Sequence, residues 1–229
     1  MICVFTDPGD IADAPGTPTF KFVRGHADRW ERSMKDAMRS TEYDTVSVRY
    51  ARYLREEILA DVGAKYNLRK DAYSHAITGC RQAASAALTR RGRCRSTSRG
   101  LITWIGSFTS IQWKETAENP EGGQDYPDKI LREDKRKVRA WLQDGSNDLE
   151  NPNWGDWPAA NIRMANALKT REYDFHFSFG KGTHNPGQGA AECPTEMIWL
   201  WRDHDAGKTE QEYAPDPRRR TGHISGWGL

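Results

Sequence analysis

The strongest constraint on the fold of this chain is an alternation of strand-like and helix-like segments in its second half. Residues Val138–Gln143 form a short apolar run, and residues Tyr173–Phe179 alternate aromatic and polar side chains, which is typical of a strand. Asp156 and Pro158 open a helix between these two runs. Its apolar residues share one face: Ala160, Met164, Ala167 and Leu168. A second helix-like segment follows at residues 197–201. The alternation predicts an α/β fold, with a mainly parallel sheet between two layers of helices.

The same alternation extends into the first half of the chain. Apolar residues recur every four positions along one face of a helix that is predicted to begin at Asp44 and to end near Gly63: Val46, Tyr50, Leu54, Ile58 and Val62. Ala76–Thr78 and Leu101–Gly106 are predicted to be strands of the sheet. Residues 107–137 are polar and rich in turn residues, so we predict a surface loop there.

Length and composition are those of one globular domain. The chain has 229 residues, a formal net charge of +2 and a mean hydropathy of −0.85, so it is long enough to bury a core and contains no candidate membrane span. We assign residues 1–204 to one α/β domain, in which residues 80–100 are anomalous. We assign residues 205–229 to a polar tail that we expect to be flexible. The near-zero net charge argues against nucleic acid as the main partner.

The first residues carry no basic lead and no cleavable apolar segment. We therefore expect no signal peptide in this chain and assign it to the cytoplasm by default. Ile2–Thr6 is a β-prone run that stops at a Pro-Gly turn, which predicts a buried strand, and a chain that begins on a core strand is expected to be incomplete at its N-terminus. The four cysteines lack metal-ligand spacing, so we predict no metal and no other cofactor.

Titratable residues follow two of the predicted strands. Asp144 and Asp148 lie after the strand at residues 138–143, and His184 lies in a glycine-rich loop after the strand at residues 173–179. Ligands of parallel sheets collect at the carboxyl ends of the strands. A carboxylate that orients an imidazole, which in turn deprotonates a serine, is the arrangement that acyl transfer needs, and the order nucleophile, acid, histidine is found in α/β hydrolases. Taken singly, the aspartates also fit an ordinary turn, and the histidine also fits an exposed polar residue.

Trp154 and Trp157 stand close together just before Pro158. One interpretation is that they pack in the core or in a lid. The other is that they form an aromatic rim that receives a flat substrate, such as a phenolic acyl group. On this second interpretation we assign both tryptophans to substrate binding.

Several motifs resemble those of enterochelin-esterase-like α/β hydrolases, the esterase D group. They are Val4–Gly9, Glu42–Asp44, Lys65–Leu68, Leu142–Leu149, Trp157–Asn161, Tyr173–Phe175, Gly182–His184 and Trp199–Arg202. The resemblance covers residues 1–79 and 101–204. It implies a serine esterase whose relatives cleave siderophore or feruloyl esters, and therefore a small-molecule ester as substrate. It also implies that Asp148 is the acid and His184 the base, with Asp144 the weaker candidate for the acid.

The chain departs from this family at the position of the nucleophile. Family members read roughly Gly-x-Ser-Ser-Gly-Gly after the strand that here ends at Gly79, whereas this chain has Arg81 at the serine position and Ala83 at the second glycine. Cys80 lies one residue too early, and its side chain is expected to point away from the one at the nucleophile position. Because the chain as written lacks a nucleophile, we predict a product that is inactive or poorly folded.

A slip of the reading frame accounts for this departure. If one base is missing before the codon of Arg81, codons compatible with residues 81–86 read Ser-Ser-Gly-Gly-Ile-Cys in the shifted frame. The same shift makes Ala-Trp-Glu available at residues 91–93. The test is permissive, because third bases are free. Two alternatives stay open: a genuine basic segment, Arg81–Arg99, that binds phosphates or nucleic acid, and a stable pseudoenzyme that binds an ester through His184 and the tryptophans.

Overall fold

The computed structural model describes residues 1–6, 49–80, 98–109, 123–152 and 155–215, which contain six strands. These are β1 (Ala76–Cys80), β2 (Gly100–Trp104), β3 (Arg139–Asn147), β4 (Glu150–Asn151), β5 (Gly155–Asp156) and β6 (Asp174–Thr183). Four of them form a parallel sheet in the order β1-β2-β3-β6, while β4 and β5 form a separate antiparallel pair. The parallel sheet expected from the sequence is confirmed.

Helices cover both faces of this sheet. Helices α3 (Tyr126–Arg132) and α4 (Trp157–Thr170) pack on one face, and α5 (Gly187–Leu200) packs on the other. Because side chains alternate along a strand, neighbouring residues of β2 enter different cores: Leu101 packs with α3 and α4, whereas Ile102 packs with α5. The predicted three-layer α/β arrangement is confirmed.

Helix α4 begins at a capping residue that is followed by a proline. Asp156 is the N-cap of α4, and its side chain accepts a hydrogen bond of 2.8 Å from the N–H of Ala159. Pro158 lies in the first turn, where a proline removes no helical hydrogen bond. The sequence prediction of this helix start is therefore confirmed. Helix α5 begins at Gly187, ten residues before the segment from which it was predicted.

The helical segment of the first half is irregular. It consists of α1 (Arg49–Tyr53), a π-helical turn (Leu54–Ile58) and α2 (Leu59–Lys65), and the predicted start at Asp44 lies outside the described residues. The predicted four-residue stripe is the less exposed face: Tyr50 is buried, and Leu54, Ile58 and Val62 are half-buried. A π-helical turn has more residues than an α-helical one, so it helps a strict four-residue repeat to stay on one side.

Two predictions about local structure are wrong. Ile2–Thr6 is not a strand: residues 1–6 form no β ladder, and the side chains of residues 1–5 are exposed, because a β-prone run needs a partner strand to bury it. The region 107–137 is not only a loop, since it contains α3. This helix has Pro127 in its first turn, and it buries Tyr126 and Ile130, which lie one turn apart.

A network of ion pairs joins the amino-terminal ends of β3 and β6. The Nε of Arg139 donates to Asp174 at 2.6 Å, its other two nitrogens donate to Asp203 at 2.5 and 2.8 Å, and Arg202 donates to Asp174 at 2.7 and 2.8 Å. Tyr213 lies over the guanidinium of Arg139, with 4.6 Å between its ring centroid and the Cζ atom. The described start of the predicted tail, up to residue 215, therefore contacts the sheet.

Candidate active site

The carboxyl ends of β3 and β6 approach each other unusually closely. The pairing of the two strands shifts between Gly145 and Asn147, which is a β-bulge. A β-carbon on Gly145 would overlap the backbone of Gly182 on β6, so only glycine fits here. Asn147 also joins the two strands here, because its side-chain amide donates a hydrogen bond of 2.9 Å to the carbonyl of Lys181. The bulge and the close approach bring the residues that follow each strand together.

Asp148 and His184 follow these two strands and are in direct contact. Nδ1 of His184 lies 2.6 Å from Oδ1 of Asp148, and the same oxygen accepts 2.5 Å from the N–H of Leu149. The side chain of Asp148 has no exposed surface, whereas that of His184 is 21% exposed. Because the carboxylate accepts, the proton of the neutral imidazole lies on Nδ1, which leaves Nε2 as a base. The pair therefore has the geometry of an oriented general base.

The two aspartates of the site have opposite electrostatics. Burial acts to raise the pKa of Asp148, but hydrogen bonding to His184 and to its other neighbours outweighs burial and holds that pKa below its usual value. Burial also raises the pKa of Asp144, here to about 9, and the nearby carboxylate of Asp148 adds to the rise. These shifts favour the ionised form of Asp148 and the protonated form of Asp144 at neutral pH. The structure brings both aspartates to the site, and the contact with His184 belongs to Asp148.

The indole ring of Trp157 packs against the imidazole of His184. Its ring centroid lies 5.1 Å from that of His184 with the planes at 81°, an edge-to-face contact. Its Nε1 donates 3.1 Å to the hydroxyl of Ser107, and Asn161, one turn later on α4, donates to the carbonyl of Gly106 at 2.8 Å. These bonds tie the first turn of α4 to the segment after β2. Trp157 is fully buried, so in this structure its ring supports His184 and is closed to solvent.

The remaining predicted site residues lie elsewhere in the chain. Trp154 and Arg81 are outside the described residues, so their assigned roles stay predictions. Strand β1 ends at Cys80, at the same edge of the sheet as Asp148 and His184, and position 81 follows it directly in sequence. The thiol of Cys80 is half-buried and forms no disulfide.

The segment after β2 is strained. Ile105 has a φ of 46°, a left-handed conformation that β-branched residues rarely adopt, and it is fully buried. Its N–H donates 2.8 Å to the carbonyl of Gln143 on β3, which fixes the turn at the sheet edge. Strain of this kind persists where the surrounding structure determines it, and it is concentrated at functional sites. The turn places the hydroxyl of Ser107 within hydrogen-bond distance of Nε1 of Trp157.

Another buried carboxyl group lies on the other face of the sheet. Glu196 of α5 has no exposed surface and accepts from the indole N–H of Trp104 at 2.8 and 3.0 Å. Burial raises its pKa to about 7. Trp104, the last residue of β2, is held over Gly189, where a β-carbon would overlap the indole ring. Sequence reasoning missed Glu196, Ser107 and Asn161. The only signal was the Trp157–Asn161 motif, which contains Asn161.

The described residues do not gather the ligands of a metal ion: no group of three or more His, Cys, Asp or Glu side chains among them has the arrangement required. None of the helices in this part of the chain has the length and apolar character that crossing a bilayer requires.

Comparison with solved structures identifies the fold. Neither a family model nor a curated protein matches the sequence. The structure is similar to that of the enterobactin esterase FES from Shigella flexneri, solved in the presence of enterobactin, with 15% identity, a TM-score of 0.56 and coverage of 73% of this chain and 40% of that chain. It is also similar to a ferulic acid esterase, with 14% identity, a TM-score of 0.50 and coverage of 66% and 60%.

The chain therefore has the fold of an esterase-like α/β hydrolase, which confirms the resemblance seen in its sequence at the level of the fold. The chain spans less than two thirds of the length of these two solved structures. At these identities the likeness concerns the fold, and the activity is argued below from the site.

Proposed function

We propose that this chain is a serine carboxylic-ester hydrolase by lineage, with Asp148 as the acid and His184 as the general base. The observation that carries the proposal is the 2.6 Å contact between these side chains at the carboxyl edge of the sheet, in a fold shared with esterases. In such a site the base removes the proton of a serine, the serine oxygen attacks the ester carbonyl, and the base then returns the proton to the leaving alkoxide.

The proposed substrates are esters whose acyl part carries a hydroxylated aromatic ring. Of the similar structures, one is a ferulic acid esterase, and an enterobactin esterase was solved in the presence of enterobactin and of 2,3-dihydroxy-N-benzoyl-serine. We carry only this substrate class over to the present chain. A panel of feruloyl esters, esters of 2,3-dihydroxy-N-benzoyl-serine and simple alkyl esters tests it, and a preference for alkyl esters would count against it.

Residue 81 decides whether the site works. An arginine has no oxygen or sulfur with which to form an acyl-enzyme, and removal of a triad serine lowers turnover by about a millionfold. We propose that the coding sequence has slipped by one base before this codon, so that the ancestral enzyme carried serine at position 81. Sequencing the coding DNA across residues 80–100 tests the slip, because codons that do not yield serine and glycine in the shifted frame exclude it.

The activity is tested with two chains. The first is the chain as written, and the second carries residues 81–99 as read in the shifted frame. We expect hydrolysis of p-nitrophenyl acetate only from the second chain, with loss of that activity on His184→Ala. Hydrolysis by the first chain that disappears on His184→Ala contradicts the inactivity, and a folded but inactive second chain contradicts the esterase lineage.

A non-catalytic binding role is the second candidate. It is supported by an intact Asp148–His184 pair in a chain whose sequence has arginine where the resembling family has serine. Such a pseudoenzyme is expected to bind feruloyl esters without cleaving them, and isothermal titration of the chain as written, with His184→Ala as the control, tests this. Binding of nucleic acid through Arg81–Arg99 stays a prediction, since residues 81–97 lie outside the described part of the chain.

A further inference from the structure

The carboxyl group of Asp144 is the least expected feature near the site. Asp144 has no exposed surface. Its side chain projects from β3 toward the side of the sheet on which α4 packs, the same face as that of Leu142. The groups that face it are the carboxylate of Asp148, the side-chain amide of Asn161 and the N–H of Gly145. None of these carries a positive charge. Buried carboxylates are normally compensated by a cation, and none of the groups that face Asp144 is one.

Unpaired oxygen atoms are concentrated around Asp144. Among the buried side chains that the structure describes, both carboxyl oxygens of Asp144 and Oδ2 of Asp148 lack a partner in hydrogen-bond geometry. Two neighbouring oxygens also lack a hydrogen-bond partner: Oγ1 of Thr103 and Oδ1 of Asn161, which both lie next to Gly106. These oxygens are acceptors, and only the hydroxyl of Thr103 also brings a proton. Buried acceptors require donors, so the cluster lacks hydrogen atoms.

A proton on Asp144 supplies a missing donor. Two ionised carboxylates in one buried site repel each other, and such pairs keep one proton between them. Asp148 is the member that stays ionised, because its Oδ1 accepts from Nδ1 of His184 and from the N–H of Leu149. The proton therefore belongs on Asp144. Burial raises the pKa of Asp144 to about 9, which agrees with this placement.

We propose that Asp144 is a neutral carboxylic acid that donates its proton to Oδ2 of Asp148 and so acts as a positioning residue for the Asp148–His184 pair. Oδ1 of Asp148 would then be held by His184 and Leu149, and Oδ2 by Asp144. The carboxylate plane is fixed from both sides, and with it the direction in which the imidazole presents Nε2. The catalytic meaning of this inference rests on the proposed esterase function, whereas the protonation state of Asp144 does not.

The variants Asp144→Asn and Asp144→Leu separate the effect of a charge at position 144 from the effect of a hydrogen-bond donor there. Asp144→Asn keeps the size and a hydrogen-bond donor and has no charge at any pH. Asp144→Leu keeps the approximate volume and removes the donor. Leu142→Ala is the matched control, since residue 142 lies on the same strand face and is fully buried but belongs to the apolar core. It disturbs packing without removing a group that faces Asp148.

The experiment is NMR of the chain as written, with labelled histidine and aspartate. The ¹³Cγ resonance of Asp144 is expected to keep its protonated position from pH 5 to pH 8. In Asp144→Asn the exchange of the Nδ1 proton of His184 should remain within about threefold of the parent, because the amide keeps a hydrogen-bond donor that can reach Oδ2 of Asp148. In Asp144→Leu the exchange of the Nδ1 proton of His184 should accelerate at least tenfold, and in Leu142→Ala it should not.

Three results would overturn the inference. One is an ionised Asp144 at pH 7. Another is proton exchange in Asp144→Asn that is as fast as in Asp144→Leu, since a donor at position 144 would then not hold Asp148. The third is unchanged proton exchange in Asp144→Leu. A reframed chain that is folded but inactive would refute the proposed esterase function and leave these NMR results standing, so the two failures are distinguishable.

Discussion

The two ends of the neighbouring strands β3 and β6 handle buried charge in opposite ways. At the amino end, Arg139 opens β3 and Asp174 opens β6, and they form an ion pair of 2.6 Å in which both side chains are less than 5% exposed. At the carboxyl end, β3 leads into Asp148 and β6 into His184, which also meet at 2.6 Å. The difference lies in what surrounds each pair: two further charged side chains at the amino end, and a second carboxyl group at the carboxyl end.

The pKa values of two aspartates express this difference. Hydrogen bonds from Arg139 lower the pKa of Asp203 to about 2, whereas burial, with the adjacent Asp148, raises that of Asp144 to about 9. Arginine neighbours therefore keep one carboxyl group ionised, and burial without a cation keeps the other protonated. The amino end is paired for stability, while the carboxyl end retains unpaired acceptors, as functional sites do. The comparison predicts that variants at the two ends affect different measurements.

The largest expected effect is on catalysis at the carboxyl end. In the chain with the reframed segment, Asp148→Asn should lower kcat by about 10⁴-fold, because the amide favours the wrong tautomer of His184 and does not stabilise the imidazolium. Asp203→Asn, at the amino end, should leave kcat within about threefold of the parent. The measurement is the steady-state hydrolysis of p-nitrophenyl acetate by folded protein. Similar losses of kcat in both variants would remove the functional distinction between the two ends.

The next effect is on stability at the amino end. Asp174→Asn leaves the guanidinium of Arg139 buried with less compensation, and removal of one partner from a buried pair costs about 3–5 kcal/mol. Lys137→Met is the control: this lysine pairs with Glu210 and Glu212 on the surface, where solvent screens ion pairs, so its loss should change stability little. Urea unfolding measures the stability of both variants. Equal stabilities of Asp174→Asn and Lys137→Met would show that the network is not a stabilising unit.

The functional side chains at the carboxyl end could be predicted from the sequence, whereas the ion pairs at the amino end could not. Asp148 and His184 each follow a strand that has a clear hydrophobic pattern, and parallel strands place their ends at one edge. Arg139 and Asp203 are 64 positions apart, and no local pattern links a charged strand residue to the segment that follows α5. Glu196 was missed likewise, because its partner, Trp104, is 92 positions away.

Local patterns also set the limits of the predicted elements. The start of α4 at Asp156 could be predicted because the cap and the proline act within one turn. Helix α3 was missed because it has seven residues, too few to establish a period, and its burial depends on contact with α4. The strand predicted at Leu101–Gly106 ends earlier, at Trp104, since Ile105 turns into the left-handed region under tertiary constraint.

A smaller effect is expected at Glu196, because burial of this carboxyl group raises its pKa to about 7. The folded state then binds the proton more tightly than the unfolded state, where the pKa is near 4.3, so this group lowers stability progressively as the pH rises from about 4 to 7. Glu196→Gln should therefore stabilise the chain by about 1–2 kcal/mol at pH 8 and very little at pH 4. Urea unfolding at both pH values checks this, and a gain independent of pH would rule out titration of Glu196 as the cause.

The smallest effect concerns the bond between Trp157 and Ser107, which lies beneath His184 at the carboxyl end. Trp157→Phe keeps an aromatic edge but loses the donor, and Ser107→Ala leaves the indole N–H without an acceptor, so each should cost about 1 kcal/mol. A double-mutant cycle by urea unfolding should give a coupling of about 0.5–1.5 kcal/mol. If this end of the sheet is organised for function, Trp157→Phe should also accelerate exchange of the Nδ1 proton of His184, which Lys137→Met should leave unchanged. A coupling in stability without any change in that exchange would mean that Trp157 stabilises the core and does not position the imidazole.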